Sequence, residues 1–139
     1  MFLDENRIYF VETNTPFKRI KYEDVKFDHH RATQIKNSLY AINLEDKKMR
    51  FNCYTQNMID RSLSCQKLRP CTHKRATFEM TSFYDGFILI IGGFQGQYMS
   101  NTFIYNINGR KWKEGPSLNV ARALHSVCQH GAFIYTFGG

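Results

Sequence analysis

No stretch of this 139-residue sequence is apolar for long enough to cross a membrane as a helix, since its longest apolar run meets a glycine pair after five residues. The opening residues, Met1-Phe2-Leu3-Asp4-Glu5-Asn6-Arg7, place two acids where a secretory leader needs a basic and then an apolar segment. Asn-x-Ser/Thr acceptor sites are lacking as well, and a cytoplasmic location is expected. The four cysteines, Cys53, Cys65, Cys71 and Cys128, have none of the close paired spacing of a structural zinc site and read as buried free thiols. Cys65, Cys71 and His73, with Cys53 or His125 as a fourth ligand, are the one grouping that could be drawn as a metal cluster. No metal and no cofactor are expected from it.

Catalytic groups are equally scarce. His29-His30 lie in a polar connector and His73 in a basic loop, where solvation accounts for them. His125 stands on a strand with no nucleophile or carboxylate near it in sequence, and is read as a hydrogen-bonded structural histidine. The chain is therefore expected to be non-enzymatic. No helical period is visible, and an all-β protein follows.

What is present is a repeat. The run Phe87-Ile88-Leu89-Ile90-Ile91-Gly92-Gly93 returns as Phe133-Ile134-Tyr135-Thr136-Phe137-Gly138-Gly139, 46 residues on. Arg75-Ala76 returns as Arg122-Ala123, and Pro70 as Pro116. A period of this length signals a solenoid or a propeller. Five apolar residues bounded by Asp85-Gly86 and Gly92-Gly93 are too few for a buried helix and suit a strand covered on both faces. The glycine pairs allow positive φ and close approach of neighbouring backbones. Tyr105 and Trp112, the single tryptophan, read as wedges between adjacent sheets, each with a polar tip that needs a partner.

These residues resemble the Kelch repeat. Its marks are an apolar strand into Gly-Gly, a Tyr with Trp about seven residues later, and Arg-x-x-His-Ser entering the next unit. Here they read Gly92-Gly93, Tyr105, Trp112 and Arg122-Ala123-Leu124-His125-Ser126. The resemblance implies a four-stranded-blade propeller that recognises a protein partner, as in ubiquitin-ligase substrate adaptors or cytoskeletal and actin-associated scaffolds. A galactose-oxidase-like enzymatic propeller, with its active site outside this chain, is the alternative.

Taken in order, residues 7–21 form half a blade, with strands Arg7–Glu12 and Phe17–Ile20. A degenerate blade spans 31–68, with Asn43-Leu44 in place of the glycine pair. A full blade spans 75–114, its first strand running Arg75–Phe83 and its last hairpin turning at Asn108-Gly109. A second half blade spans 122–139. Arg75, Arg122, Gly92, Gly93, Gly138, Gly139, Tyr105 and Trp112 are expected to be the structural repeat positions. Three blades' worth of strands cannot close a ring, so the chain is expected to be a piece of a longer propeller. Self-association through the open blade edges, as a two-chain ring, is the other way to complete it.

Charge is concentrated. Between Lys47 and Arg75 lie eight basic residues against Asp60 alone, and the rest of the chain is neutral in sum although the net charge is +7. Solubility would be served by mixed signs, so a single-sign segment points to a partner. Only Phe51 and Tyr54 could stack on bases there, so an acidic protein surface is preferred to nucleic acid, with Lys67, Arg69 and Lys74 as contact residues.

Overall fold

The computed structural model describes residues 2–4, 7–9, 30–45, 48–57, 59 and 62–139. Twelve strands and no helix occur among them. The N-terminal strands β1 (Phe2–Asp4) and β2 (Arg7–Tyr9) form a hairpin of their own. β2 thus starts where a strand was expected at Arg7, but its partner is β1, and the expected partner, Phe17–Ile20, lies outside the described residues.

Four strands then make the first complete sheet: β3 (His30–Ile35), β4 (Ser38–Glu45), β5 (Lys48–Gln56) and β6 (Leu63–Leu68), antiparallel in sequence order. The second sheet holds β7 (Glu79–Phe83), β8 (Phe87–Ile91), β9 (Thr102–Asn106) and β10 (Lys111–Glu114) in the same order. A final pair, β11 (Ser126–His130) and β12 (Phe133–Phe137), begins a third. The chain is all-β: two four-stranded blades flanked by two two-stranded sheets.

The blades stack through apolar side chains of alternating register. Tyr40, Ile42, Met49, Phe51 and Cys53 of the first blade meet Met80, Ile88, Ile90, Phe103 and Tyr105 of the second in one buried cluster. Strand residues of one parity point to one face, which is why Ile88 and Ile90 go to this seam while Leu89 and Ile91 go to the opposite face of β8. Arg31 of β3 adds a polar tie, its guanidinium Nε donating to Phe78 O at 3.0 Å and to Glu79 Oε1 at 2.7 Å beside β7.

Several local readings change in three dimensions. Residues 75–78 are not strand: Thr77 takes φ 51°, and only Ala76 makes an isolated bridge, to Phe94. The same turn recurs one unit later, where Leu124 takes φ 55° and its N–H donates to Thr77 O at 3.1 Å. Neither residue type advertises a left-handed conformation. In the first blade, β4 runs on as paired strand through Asn43 and Leu44, opposite Arg50 and Met49, so the Gly-Gly turn is not reproduced there. Asn108-Gly109 does not form a two-residue hairpin. The loop holds four residues between paired Asn106 and Lys111, Arg110 carries the positive φ of 51°, and the Asn106 side chain accepts the Gly109 N–H at 2.8 Å.

Candidate functional site

The repeat positions define how one unit engages the next. Arg75, 1% exposed, donates from Nη1 to Gly92 O at 2.8 Å and Asn101 O at 3.1 Å, and its guanidinium lies 4.7 Å above the centre of the Phe103 ring. Arg122 makes the matching bond in the next unit, Nη1 to Gly138 O at 2.7 Å. Burial lowers the Arg75 pKa, the nearby Cys71 opposing it, and the carbonyls it binds are what hold a guanidinium there. Gly93 has φ 112°, and a Cβ on it would stand 2.9 Å from Ala76 O and 3.0 Å from Phe78 Cβ. Gly139 is hemmed in by Ala123 O and His125 Cβ in the same way.

Tyr105 is buried, its ring 4.9 Å from those of both Phe51 and Trp112. Trp112 sits at the blade seam but is only half-buried. Its ring centre lies 5.5 Å from that of Phe51, and its indole N–H donates to Arg69 O at 2.7 Å. The polar tip thus ties β10 to the connector leaving β6. In the first blade Cys65 pairs with Tyr54 as Trp112 pairs with Tyr105 in the second, so Cys65 stands where the tryptophan would be.

His125 is 2% exposed, yet neither ring nitrogen has a hydrogen-bond partner among the described residues, contrary to the hydrogen-bonded histidine expected. Burial, with Arg122 and Arg31 adding repulsion, lowers its pKa and keeps the ring neutral. His73 is exposed but stacks on Phe103 at 4.3 Å between ring centres. Cys53 and Cys71 are buried, whereas Cys65 and Cys128 are exposed rather than buried thiols. Burial pushes the Cys71 thiol up, which opposes nucleophilic reactivity. No group of three or more His, Cys, Asp or Glu able to hold a metal occurs among the described residues.

The basic segment surrounds a cavity of about 430 Å³ at the end of β5 and β6, roofed by the connector 70–74. Its apolar lining includes Met49, Phe51 and Cys71, all buried, together with the half-buried Leu68. Lys67 and Lys74, both exposed, stand at its rim with Arg50. Neither lysine has a carboxylate within ion-pairing distance among the described residues. Arg69, exposed in the same connector, is not part of the lining, its backbone being held by Trp112 instead. The structure therefore joins two of the three sequence-predicted contact residues and adds Arg50. Phe51 and Tyr54, the candidate stacking residues, are 2% and 5% exposed and closed to a base.

A family profile described as the Kelch motif matches residues 82–119, which take in the Gly92-Gly93 turn, Tyr105 and Trp112. Residues 82–119 carry a Kelch motif, in a chain built of β-propeller blades. The solved structure titled "Structure of YjhT" superposes with a TM-score of 0.69 at 17% identity, a likeness of fold. The match covers 84% of this chain and 35% of that one, so the chain spans about a third of that protein's length. No curated protein matches the sequence. No helix among the described residues is long and apolar enough to cross a membrane.

Proposed function

We propose that this chain is a non-enzymatic recognition module of the cytoplasm, a Kelch propeller that binds an acidic protein surface through its basic segment. The observation that carries this reading is the exposed, like-signed rim of Lys67 and Lys74 beside Arg50, around a cavity with an apolar floor. Lys67 and Lys74 have no carboxylate within ion-pairing distance among the described residues, and an acidic partner would supply one to each while steering encounter. Burial of Phe51 and Tyr54 removes the stacking platform that single-stranded nucleic acid would use. A ubiquitin-ligase substrate adaptor and a cytoskeletal scaffold would both employ such a surface.

The test is association with immobilised poly-glutamate, followed by surface plasmon resonance, for the wild type and the variant Lys67→Glu/Arg69→Glu/Lys74→Glu. The variant should associate at least about tenfold more slowly at low salt and nearly normally at high salt, since exposed charges are screened beyond roughly 10 Å at 0.1 M. Equal rates at low salt, or faster capture of single-stranded DNA through the same residues, would overturn the reading.

A further inference from the structure

We infer that the outer face of the β11–β12 sheet is a self-association surface, on which two copies of the chain meet about a two-fold axis. Strand alternation divides this pair into two sides. Val127, Ile134 and Thr136 are half-buried on the side toward β7. Phe133, Tyr135 and Phe137 point the other way and are 68%, 43% and 57% exposed. Their rings form a row with successive centres 6.3 Å apart, Tyr135 and Phe137 stacked. Ser126, Cys128 and His130 stand directly opposite them on β11, all exposed. A contiguous apolar row left in water is the mark of an interaction surface.

Charge, fit and area point to a second copy as its occupant. The face carries no Asp, Glu, Lys or Arg, and the excess charge of the chain lies between Lys47 and Arg75. Two chains of net charge +7 can therefore meet here without setting like charges in contact. A head-to-tail partner would need a matching uncovered face on the first blade. There Leu39, Ala41 and Tyr54, on the side away from the seam, are buried. The apolar face that a second copy brings is then the same one, which is the isologous arrangement. Rings that bury roughly 150–250 Å² each when covered, here about half exposed, offer on the order of 300 Å² per copy. With the β11 side chains, two copies would bury roughly 1,000 Å² in total, the low end of specific association, which suits a reversible dimer with a Kd of about 10 µM.

The experiment is sedimentation velocity of the 139-residue chain from about 1 to 100 µM, in about 0.5 M salt so that long-range repulsion is screened. The weight-average mass should rise from 16.4 kDa toward twice that value and stop there. Tyr135→Lys, a change at an exposed position, should stay at the monomer mass across the range, with an unchanged urea midpoint at the lowest concentration. A short bis-maleimide should join two Cys65→Ser chains through Cys128, the thiol opposite Tyr135, and fail with Cys65→Ser/Tyr135→Lys. Should Tyr135→Lys lose its fold, cross-linking of the Cys65→Ser chain, mapped to Cys128 on both copies, decides in its place. A wild type that remains monomeric throughout, a mass that grows past the dimer, or association that survives Tyr135→Lys would overturn the inference.

Discussion

His125 and Phe78 hold the same place in successive units. Each lies three residues after the repeat arginine, each is 2% exposed, and each has its Cβ against the second glycine of a Gly-Gly turn. The phenyl ring suits that place and the imidazole does not, because its two nitrogens are buried with no protein partner among the described residues. Leaving a polar group so buried costs about 1–3 kcal/mol. His125→Phe should therefore stabilise the protein by about 1–2 kcal/mol at pH 7.5, raising Tm by roughly 3–6 °C.

The gain should grow in mild acid. The folded-state pKa of His125 lies below its ordinary value of 6.5, through burial first and then Arg122 and Arg31. Below about pH 6.5 the unfolded chain takes up a proton that the folded chain refuses. Stability thus falls as pH drops toward the folded pKa, at up to about 1.4 kcal/mol per pH unit. Urea melts of wild type and variant at pH 7.5, 6.5 and 5.5 should diverge steadily toward the acid end. Parallel pH curves, or a less stable variant at neutral pH, would refute the placing of a neutral, partnerless imidazole in the seam.

Three other substitutions probe the same framework by chemical denaturation. Arg75→Ala should cost about 3–5 kcal/mol by stranding Gly92 O and Asn101 O, and Arg75→Lys should restore only part of it, because an ammonium can donate to both carbonyls but loses the flat stacking over Phe103. Gly93→Val should destabilise by at least about 3 kcal/mol, since φ 112° is foreign to a β-branched residue and Ala76 O blocks its Cβ; a variant that melts like the wild type refutes the close approach. Trp112→Ala should lose about 2–4 kcal/mol and Trp112→Phe about 1–2, the second reporting the bond to Arg69 O; a Phe variant as stable as the wild type would show that the bond contributes nothing.

The blades were legible where covalent chemistry leaves a trace. Phe87–Ile91 and Phe133–Phe137 announce themselves by apolar content and by the glycines that stop them, and Arg75 and Arg122 by their shared step. The inter-unit turn was not legible, because Thr77 and Leu124 are driven to positive φ by their surroundings rather than by their own preference. Asn108-Gly109 misled for a related reason: the Asn106 side chain caps the loop and moves the strained position to Arg110. Of the candidate site, Lys67 and Lys74 could be suspected from charge. Arg50 was visible only as one of many cations, since its nearness to them depends on β5 and β6 pairing end to end, with Phe51 opposite Leu68. The apolar floor had no local signature.

The two apolar strands of the repeat end in different surroundings. On β8, Leu89 and Ile91 are 8% and 1% exposed, whereas their counterparts on β12, Tyr135 and Phe137, are 43% and 57% exposed. Equivalent apolar positions are thus dry in one unit and wet in the next, so burial here belongs to the neighbour and not to the strand. Cohesion in such an array is a nearest-neighbour quantity, largest for units flanked on both sides and smallest for those flanked on one. Amide hydrogens of β8 and β9 should then exchange only through opening of the whole array, while those of β12 leave through a fraying motion of far lower free energy. Between β8 and β12 cohesion therefore falls, and whatever covers β12 would move the soft unit further on.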